Sequence, residues 1–481
     1  NTNGGLAVPN IYNLENSNSS ATILDYDEKK RVNSTFGSVS LGYDSFAYLT
    51  VTGRNDWSST LPEDNNSYFY PSVSGSVVFS QLVDIPWLSL GKIRGGYAEV
   101  GSDAEPYQLI NTYSSRQPFF GTIRYSQPDS NRNPNLRPEE KTTWEVGLEL
   151  AAFRNRVSID ITYYDETTSD LITPVQVDPS TGFLSTVANA GKLENKGIEA
   201  LVNITPIQTE NFDWNFTWNY SRNRNKLLEL LPGVETLQLA SFPFNGVTLN
   251  AVVGEPYGVI RGTDFIFDDN GRKVVGANGR YLKTSTVQNL GSVLPDYNMG
   301  FRNSFRYKNL DLSILVDVQK GGKYRSLTNI WGHYSGILEE TAANNIREEG
   351  IVIDAVQGDV VFNDDGSYTV SNTSENTQVI SAQQWGQDHF FGPDAQNVFN
   401  SDYIKLREVT LGYTLPKKWT NLIGANALTL TAFGRNLFAW NLDNDNFDPE
   451  VASGGSGNIQ GSEGGSLPST RSYGLNLQIK F

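Results

Sequence analysis

Residues 212–220 read FDWNFTWNY. In an extended chain, successive side chains point to opposite sides. Phe212, Trp214, Phe216, Trp218 and Tyr220 therefore share one face, and Asp213, Asn215, Thr217 and Asn219 share the other. A face this aromatic has to be taken out of water. In a soluble sandwich it packs on a second sheet; in a membrane barrel it meets lipid while the polar face lines a wet interior.

The same period of two recurs along the chain. Trp144, Val146, Leu148 and Leu150 alternate with Glu145, Gly147 and Glu149, and Ile198, Ala200, Val202 and Ile204 alternate with Glu199 and Asn203. Leu310, Leu312, Ile314, Val316 and Val318 alternate with Asp311, Ser313, Asp317 and Gln319. Pro71, Val73, Gly75, Val77 and Phe79 face away from a row of serines. Thirteen strands are expected, near 31–43, 46–54, 68–80, 88–100, 141–151, 156–166, 197–206, 212–222, 297–308, 310–320, 403–415, 427–437 and 472–481. The pattern leaves the register of the Lys92–Arg94 strand open. Ten residues rising ~3.3 Å each at a ~45° tilt span about 24 Å, the height of a barrel's apolar band.

Connections after the odd-numbered strands read as short and those after the even-numbered ones as long, the longest over 321–402. Outer-membrane barrels pair short periplasmic turns with long extracellular loops. The expectation is therefore an all-β, antiparallel transmembrane barrel portion, with 1–27 as the start of an extracellular loop and 321–402 as a long one. The opening residues, NTNGGLAVPNIYNLENSNSS, lack the basic start and apolar run of a leader. An odd number of strands beginning inside a loop suggests that further barrel precedes them.

Composition narrows the function. Hydrophobic residues make up only 38% of the chain but aromatics reach 12%, a β-rich balance in which no run approaches a membrane helix. There is no cysteine, which removes disulfides, thiol catalysis and Cys-ligated metals. A net charge of −16 disfavours binding along nucleic-acid phosphates.

The chain ends on alternation: Tyr473, Leu475, Leu477, Ile479 and Phe481 against Gly474, Asn476, Gln478 and Lys480. Residues 472–481 resemble the terminal β-signal of outer-membrane proteins, an edge strand presented to the barrel-assembly machinery. Six segments further resemble the SusC/RagA-type TonB-dependent outer-membrane transporters of Bacteroidetes-type Gram-negative bacteria. They are TGRNDWSSTLP (52–62), NSYFYPSVSGSVVFS (66–80), LSLGKIRGGYAEVGSDAEPYQL (88–109), NPNLRPEEKTTWEVGLEL (133–150), FGRNLFAW (433–440) and LPSTRSYGLNLQIKF (467–481). The fourth is widespread among TonB-dependent receptors; the others look more family-specific.

The resemblance implies a barrel of about 22 strands around an N-terminal plug, of which this chain supplies the C-terminal part, 1–481, without the plug. It implies a TonB box engaging TonB, a SusD-like surface lipoprotein as lid, and oligosaccharide or peptide cargo. A multi-pass outer-membrane importer contacting lipid is the expected function. A structural scaffold in a larger outer-membrane complex is the alternative, and a soluble β-sandwich enzyme or adhesin a more distant one.

Enzymatic signals are weak, and neither catalysis nor a cofactor is expected. His333 and His389 lie in the longest connection, but no Cys or HExxH spacing accompanies them, so they read as ordinary loop histidines. Asp264, Asp268, Asp269, Asn270 and Gly271 fail the EF-hand spacing and read as a turn at 269–271. Trp331, Tyr334, Trp385, Phe390, Phe391, Trp440 and Phe447 are candidate ligand or lid contacts, with packing among the loops as the competing explanation. Trp57, Tyr68, Tyr70, Trp144 and Tyr164 are expected in the interfacial girdle, and GGSGNIQGSEGGS (454–466) as a flexible loop or a mobile partner contact.

Overall fold

The alternating segments pair into one antiparallel sheet of 13 strands, each bonded to the next in chain order. The computed structural model describes residues 5–18, 27–244, 246–452 and 459–481. The wall strands are β1 (Val32–Tyr43), β2 (Ala47–Ser58), β3 (Ser67–Val77), β4 (Leu88–Ser102), β5 (Glu139–Ala152), β6 (Val157–Ser169) and β7 (Lys192–Gln208). They continue as β8 (Phe212–Glu229), β9 (Pro295–Tyr307), β10 (Leu310–Gly321), β11 (Tyr403–Thr414), β12 (Ala427–Trp440) and β13 (Ser472–Lys480). Most run a few residues beyond the expected spans.

The register carries each face across the wall. One apolar row passes through Leu150, Ile159, Val202, Trp218, Phe301, Val316, Leu406 and Phe438, each opposite the next. A polar row passes through Arg94, Gly147, Thr162, Glu199, Ser221, Asn298, Gln319 and Tyr403. Among the described residues no second sheet covers the apolar face: Val39 is 61% exposed, Leu41 62% and Leu475 74%. An uncovered apolar band of this extent suits lipid and is a liability in water.

The polar face is held by charges and glycines. Lys92 reaches Glu149 at 3.2 Å and Arg94 reaches Asp160 at 2.7 Å, which places Lys92 and Arg94 on this face and settles their register. A Cβ at Gly147 would lie 2.6 Å from Arg94 Nε. The missing side chain lets the guanidinium cross to Asp160 and to Thr162 Oγ1 at 2.6 Å.

Three girdle expectations fail. Tyr68 and Tyr70 pair across from Asp56 and Arg54, and Tyr164 across from Glu145 and Gly197, all on the polar face. Tyrosine is amphipathic: the Tyr70 hydroxyl donates to Asp56 at 2.6 Å, and Tyr164 occupies the space left by Gly197. Trp57 and Trp144 do lie on the apolar face, the latter 5.3 Å from Tyr163. Phe79 is not in β3 but in a 3-10 turn, Phe79–Gln81, packed against Gly91.

The connections 44–46, 153–156, 209–211 and 308–309 are tight, whereas 103–138, 170–191, 230–294, 322–402 and 441–471 are long. The connection 59–66 breaks the parity. β2 and β3 extend further than their patterns suggest, leaving a short link around a 3-10 turn, Glu63–Asn65. It is shorter than 415–426, which carries the helical turn Lys417–Thr420. The turn at 269–271 forms as expected: Gly271 takes φ 76° and its N–H donates to Asp268 O at 2.9 Å.

The buried apolar clusters sit among the connections and the strand ends beside them, one of them around Leu227 near the end of β8. Leu61, Ala104, Leu136 and Val187 form one, and Phe242, Val247, Leu249 and Ile260 another. Among the described residues no such cluster lies wholly within the wall strands, because their apolar face points outward.

The two faces make a directional prediction. Val202→Arg on the apolar face should cost about 2–4 kcal/mol near the bilayer midplane. Ser221→Arg, on the polar face beside Glu199, should cost about 0.5 kcal/mol or less. Equilibrium unfolding from lipid vesicles compares the two, and equal costs would remove the assignment of faces.

Candidate ligand-contact site

The longest connection, 322–402, is a folded unit rather than an open loop. Its stem is a small sheet in which Lys323–Ser326 pairs antiparallel with Val398–Asn400 and parallel with Ser462–Glu463 from the last connection. Residues 454–458 of the glycine-rich run lie outside the described residues, whereas Ser462 and Glu463 form a short strand. Buried Glu463 accepts from Ser326 Oγ, and from Thr328 Oγ1 at 2.6 Å.

Two helices rise from this stem: α1 (Leu327–Ser335) and α2 (Ala382–Phe391). Ser326 caps α1 by accepting from Asn329 N at 2.9 Å, and Gly336 closes it with φ 70°. α2 starts with a capping box: Gln384 N donates to Ser381 Oγ at 3.2 Å and Ser381 N to Gln384 Oε1 at 3.0 Å. The helices approach closely at Gly386, where a Cβ would collide with the His333 carbonyl oxygen.

This packing brings four of the seven candidate aromatics into one ring cluster. Trp331 lies 5.6 Å from Tyr334 and 5.3 Å from Phe390, and Phe390 lies 4.9 Å from Phe391. Phe244, from the connection before β9, joins edge-on to Trp331 at 5.3 Å. Trp385 sits apart from these rings, edge-on to His333 at 5.1 Å and to His389 at 5.6 Å. Phe391 is 55% exposed, Phe244 52% and Trp331 37%, so the cluster is an apolar ledge open on one side.

Two further candidates do not join it. Trp440 is the last residue of β12, opposite Ile404 on the apolar face and stacked on Phe438 at 5.7 Å. Strand β12 outruns its expected end, and Trp440 belongs to the wall rather than to a loop. Phe447 is half-buried in 441–471, away from these rings.

Behind the ledge is a buried polar layer. His333 and His389 stack with ring centroids 3.7 Å apart. Asn397 Nδ2 donates to His389 O at 2.7 Å, and Asn397 Oδ1 faces His389 Nδ1 at 3.1 Å. Asn329 Nδ2 donates to Asn397 Oδ1 at 3.0 Å. Burial, with the adjacent His333, pushes the His389 imidazole down to about 3. Burial also lowers His333, opposed by the Asn329 carbonyl and Glu340. Burial raises the Asp388 carboxyl against the pull of Arg280.

The last connection is tied to the wall by charge. Lys405 Nζ, buried, lies 2.5 Å from Asp448 and 2.6 Å from Glu450. Arg407 bridges Glu450 and Asp317, the latter at 2.7 Å. Burial raises the Glu450 carboxyl, but Arg407 and Lys405 outweigh it and hold the group at about 2.

Sequence reading missed Phe244, the histidine stack and this clamp. The S-x-x-Q box at 381–384 was a readable sign of α2. Nothing local joins His333 to His389 or Lys405 to Glu450. Among the described residues no three His, Cys, Asp or Glu gather as a metal would need. The arrangement is one for contact: an aromatic ledge on a rigid support, above a wall whose polar face holds a recess of about 460 Å³ lined by Arg94, Asp160, Thr162, Glu199 and Asn219.

A model of the family described as TonB dependent receptor-like, beta-barrel matches residues 2–298. TonB-dependent receptor P26 of Formosa agariphila is 29% identical over 98% of this chain and 48% of its own length. TonB-dependent receptor SusC of Bacteroides thetaiotaomicron is 25% identical over 95% and 44%. A chain of the RagAB peptide transporter structure superposes with a TM-score of 0.74 at 18% identity, over 98% of this chain and 50% of that one, which shows a shared fold. The chain spans about half the length of the curated relatives it matches.

Two outcomes follow from this geometry. Asn397→Ala should leave buried partners unsatisfied and cost about 1–3 kcal/mol locally; hydrogen exchange across 382–391 should rise accordingly while the wall strands keep their protection. Because the folded Glu450 carboxyl is depressed, the clamp's contribution is complete above the ordinary glutamate range. It is lost as pH falls from about 4.5 towards about 2, and proteolysis within 441–471 should accelerate over that window.

Proposed function

Because the chain belongs to the TonB dependent receptor-like β-barrel family, we propose that it forms much of the wall and outer mouth of a SusC-like importer in the outer membrane of a Bacteroidetes-type bacterium. The observation that carries this reading is the unbroken pair of faces across 13 strands, apolar without a covering sheet on one side and charged on the other. Lipid accounts for the first face and a water-filled passage for the second.

In this reading the long connections face outward and the tight turns face the periplasm. The α1–α2 ledge meets cargo, an oligosaccharide or a peptide, or a SusD-like lid. Tyr473, Leu475, Leu477 and Ile479 lie on the apolar face of edge strand β13, followed by Phe481. That placement suits presentation to the barrel-assembly machinery, since an unpaired edge is a template for strand addition. Energy would come through TonB acting on a segment of the full-length protein outside these residues.

The test is deletion of the full-length gene, followed by growth on single glycan or peptide sources. Loss of growth on one source, with recovery of a SusD-like lipoprotein in pull-downs, supports import. Unimpaired uptake together with stoichiometric non-lipoprotein partners would replace import with the scaffold role. Trp331→Ala combined with Phe391→Ala should weaken lid or cargo binding by about tenfold or more, if each ring contributes on the order of 1 kcal/mol. Calorimetry on the purified complex checks this.

A further inference from the structure

His333 sits between two acceptors. Its Nδ1 lies 3.0 Å from Asn329 O and its Nε2 lies 3.3 Å from Glu340 Oε1. A neutral imidazole has one N–H and satisfies only one of them; the protonated ring satisfies both. His389, stacked on it at 3.7 Å, has Nδ1 toward Asn397 Oδ1. Both rings are buried, 6% and 8% exposed. The site therefore takes a first charge, which Glu340 stabilises against burial, more readily than a second, which would place two imidazolium rings face to face out of water.

The pair also joins three segments. His333 belongs to α1 and His389 to α2. Asn444 of the last connection donates to Asn329 Oδ1 at 3.2 Å, and Asn446 donates to Glu340 Oε1 at 3.0 Å. Glu340, from the 3-10 turn Glu339–Thr341, is the carboxylate that faces the stack. Asp388, beside His389 on α2, is closed on Arg280. Asn397 comes from the turn Asp394–Asn397, and the last connection contributes the two amides.

We propose that the stacked His333–His389 pair is a pH-operated latch: it holds α1 on α2 while uncharged or singly protonated, and a second proton parts the helices and rearranges the aromatic ledge they carry. The idea does not depend on what the barrel transports.

Hydrogen exchange tests it on the full-length barrel in detergent, followed over peptides covering 327–335 and 382–391 from pH 7.5 to 4 and corrected for intrinsic rates. Opening takes up one net proton once His333 is charged. Exchange should then rise about tenfold per pH unit in the acid range, with the wall strands unchanged. His389→Gln keeps a polar group toward Asn397 and cannot take the second proton, so its profile should level off once His333 is charged, where the wild type keeps rising. Glu340→Gln removes the stabiliser of the first proton. Opening should then begin nearer the ordinary histidine range and steepen toward about a hundredfold per pH unit. A flat wild-type profile, or a Glu340→Gln profile that overlays the wild type, overturns the latch. If His389→Gln folds with its helices protected at neutral pH but stays as steep as wild type, that also overturns it. If it leaves them unprotected at neutral pH, the Glu340→Gln comparison decides.

Discussion

The wall of this protein answers to one constraint: the backbone of a wall strand must find all its hydrogen-bond partners in its neighbours, while its side chains alternate between two solvents. Pairing in sequence order meets the first demand for every strand between the two outermost of the 13. The period of two meets the second, and register ties them together, since a one-residue slip would turn an entire strand's apolar set toward the water. The wall consequently needs no interior core. Its apolar side chains face outward, and its inner surface is stabilised by cross-strand pairs such as Arg94 with Asp160.

That constraint also explains what was legible in the sequence. Strands such as Trp144–Leu150 and Leu310–Val318 declare themselves because each residue must serve one solvent or the other. Tyr68, Tyr70 and Tyr164 misled because a phenol serves both: its ring reads as apolar while its hydroxyl finds a carboxylate such as Asp56. Trp440 misled through a boundary, since pattern marks the middle of a strand better than its end.

The outer connections were far less legible. Leu136 is fully buried there, in a small core assembled from segments distant in the chain. The α1–α2 contact depends on a glycine at 386 meeting a carbonyl at 333, and the charged clamp on Lys405 meeting Glu450. No local period encodes such meetings. Four of the aromatics singled out from the sequence do converge, yet Phe244, which completes the ledge, comes from a different connection. In physical terms the molecule joins two architectures: a wall written in alternation and a cap written in long-range complementarity.

The shared stem of the cap has a consequence for how the molecule is built. Lys323–Ser326, Val398–Asn400 and Ser462–Glu463 meet in one small sheet, yet each hangs from a different strand end. They come together only if β10, β11 and β13 sit at the right heights. A strand displaced by two residues would still bury its apolar face, but would carry its end about 7 Å out of line. The stem then fails to zip. The cap is thus a gauge of alignment for the wall beneath it, sensitive to the one error that the wall's own two-sided chemistry does not detect.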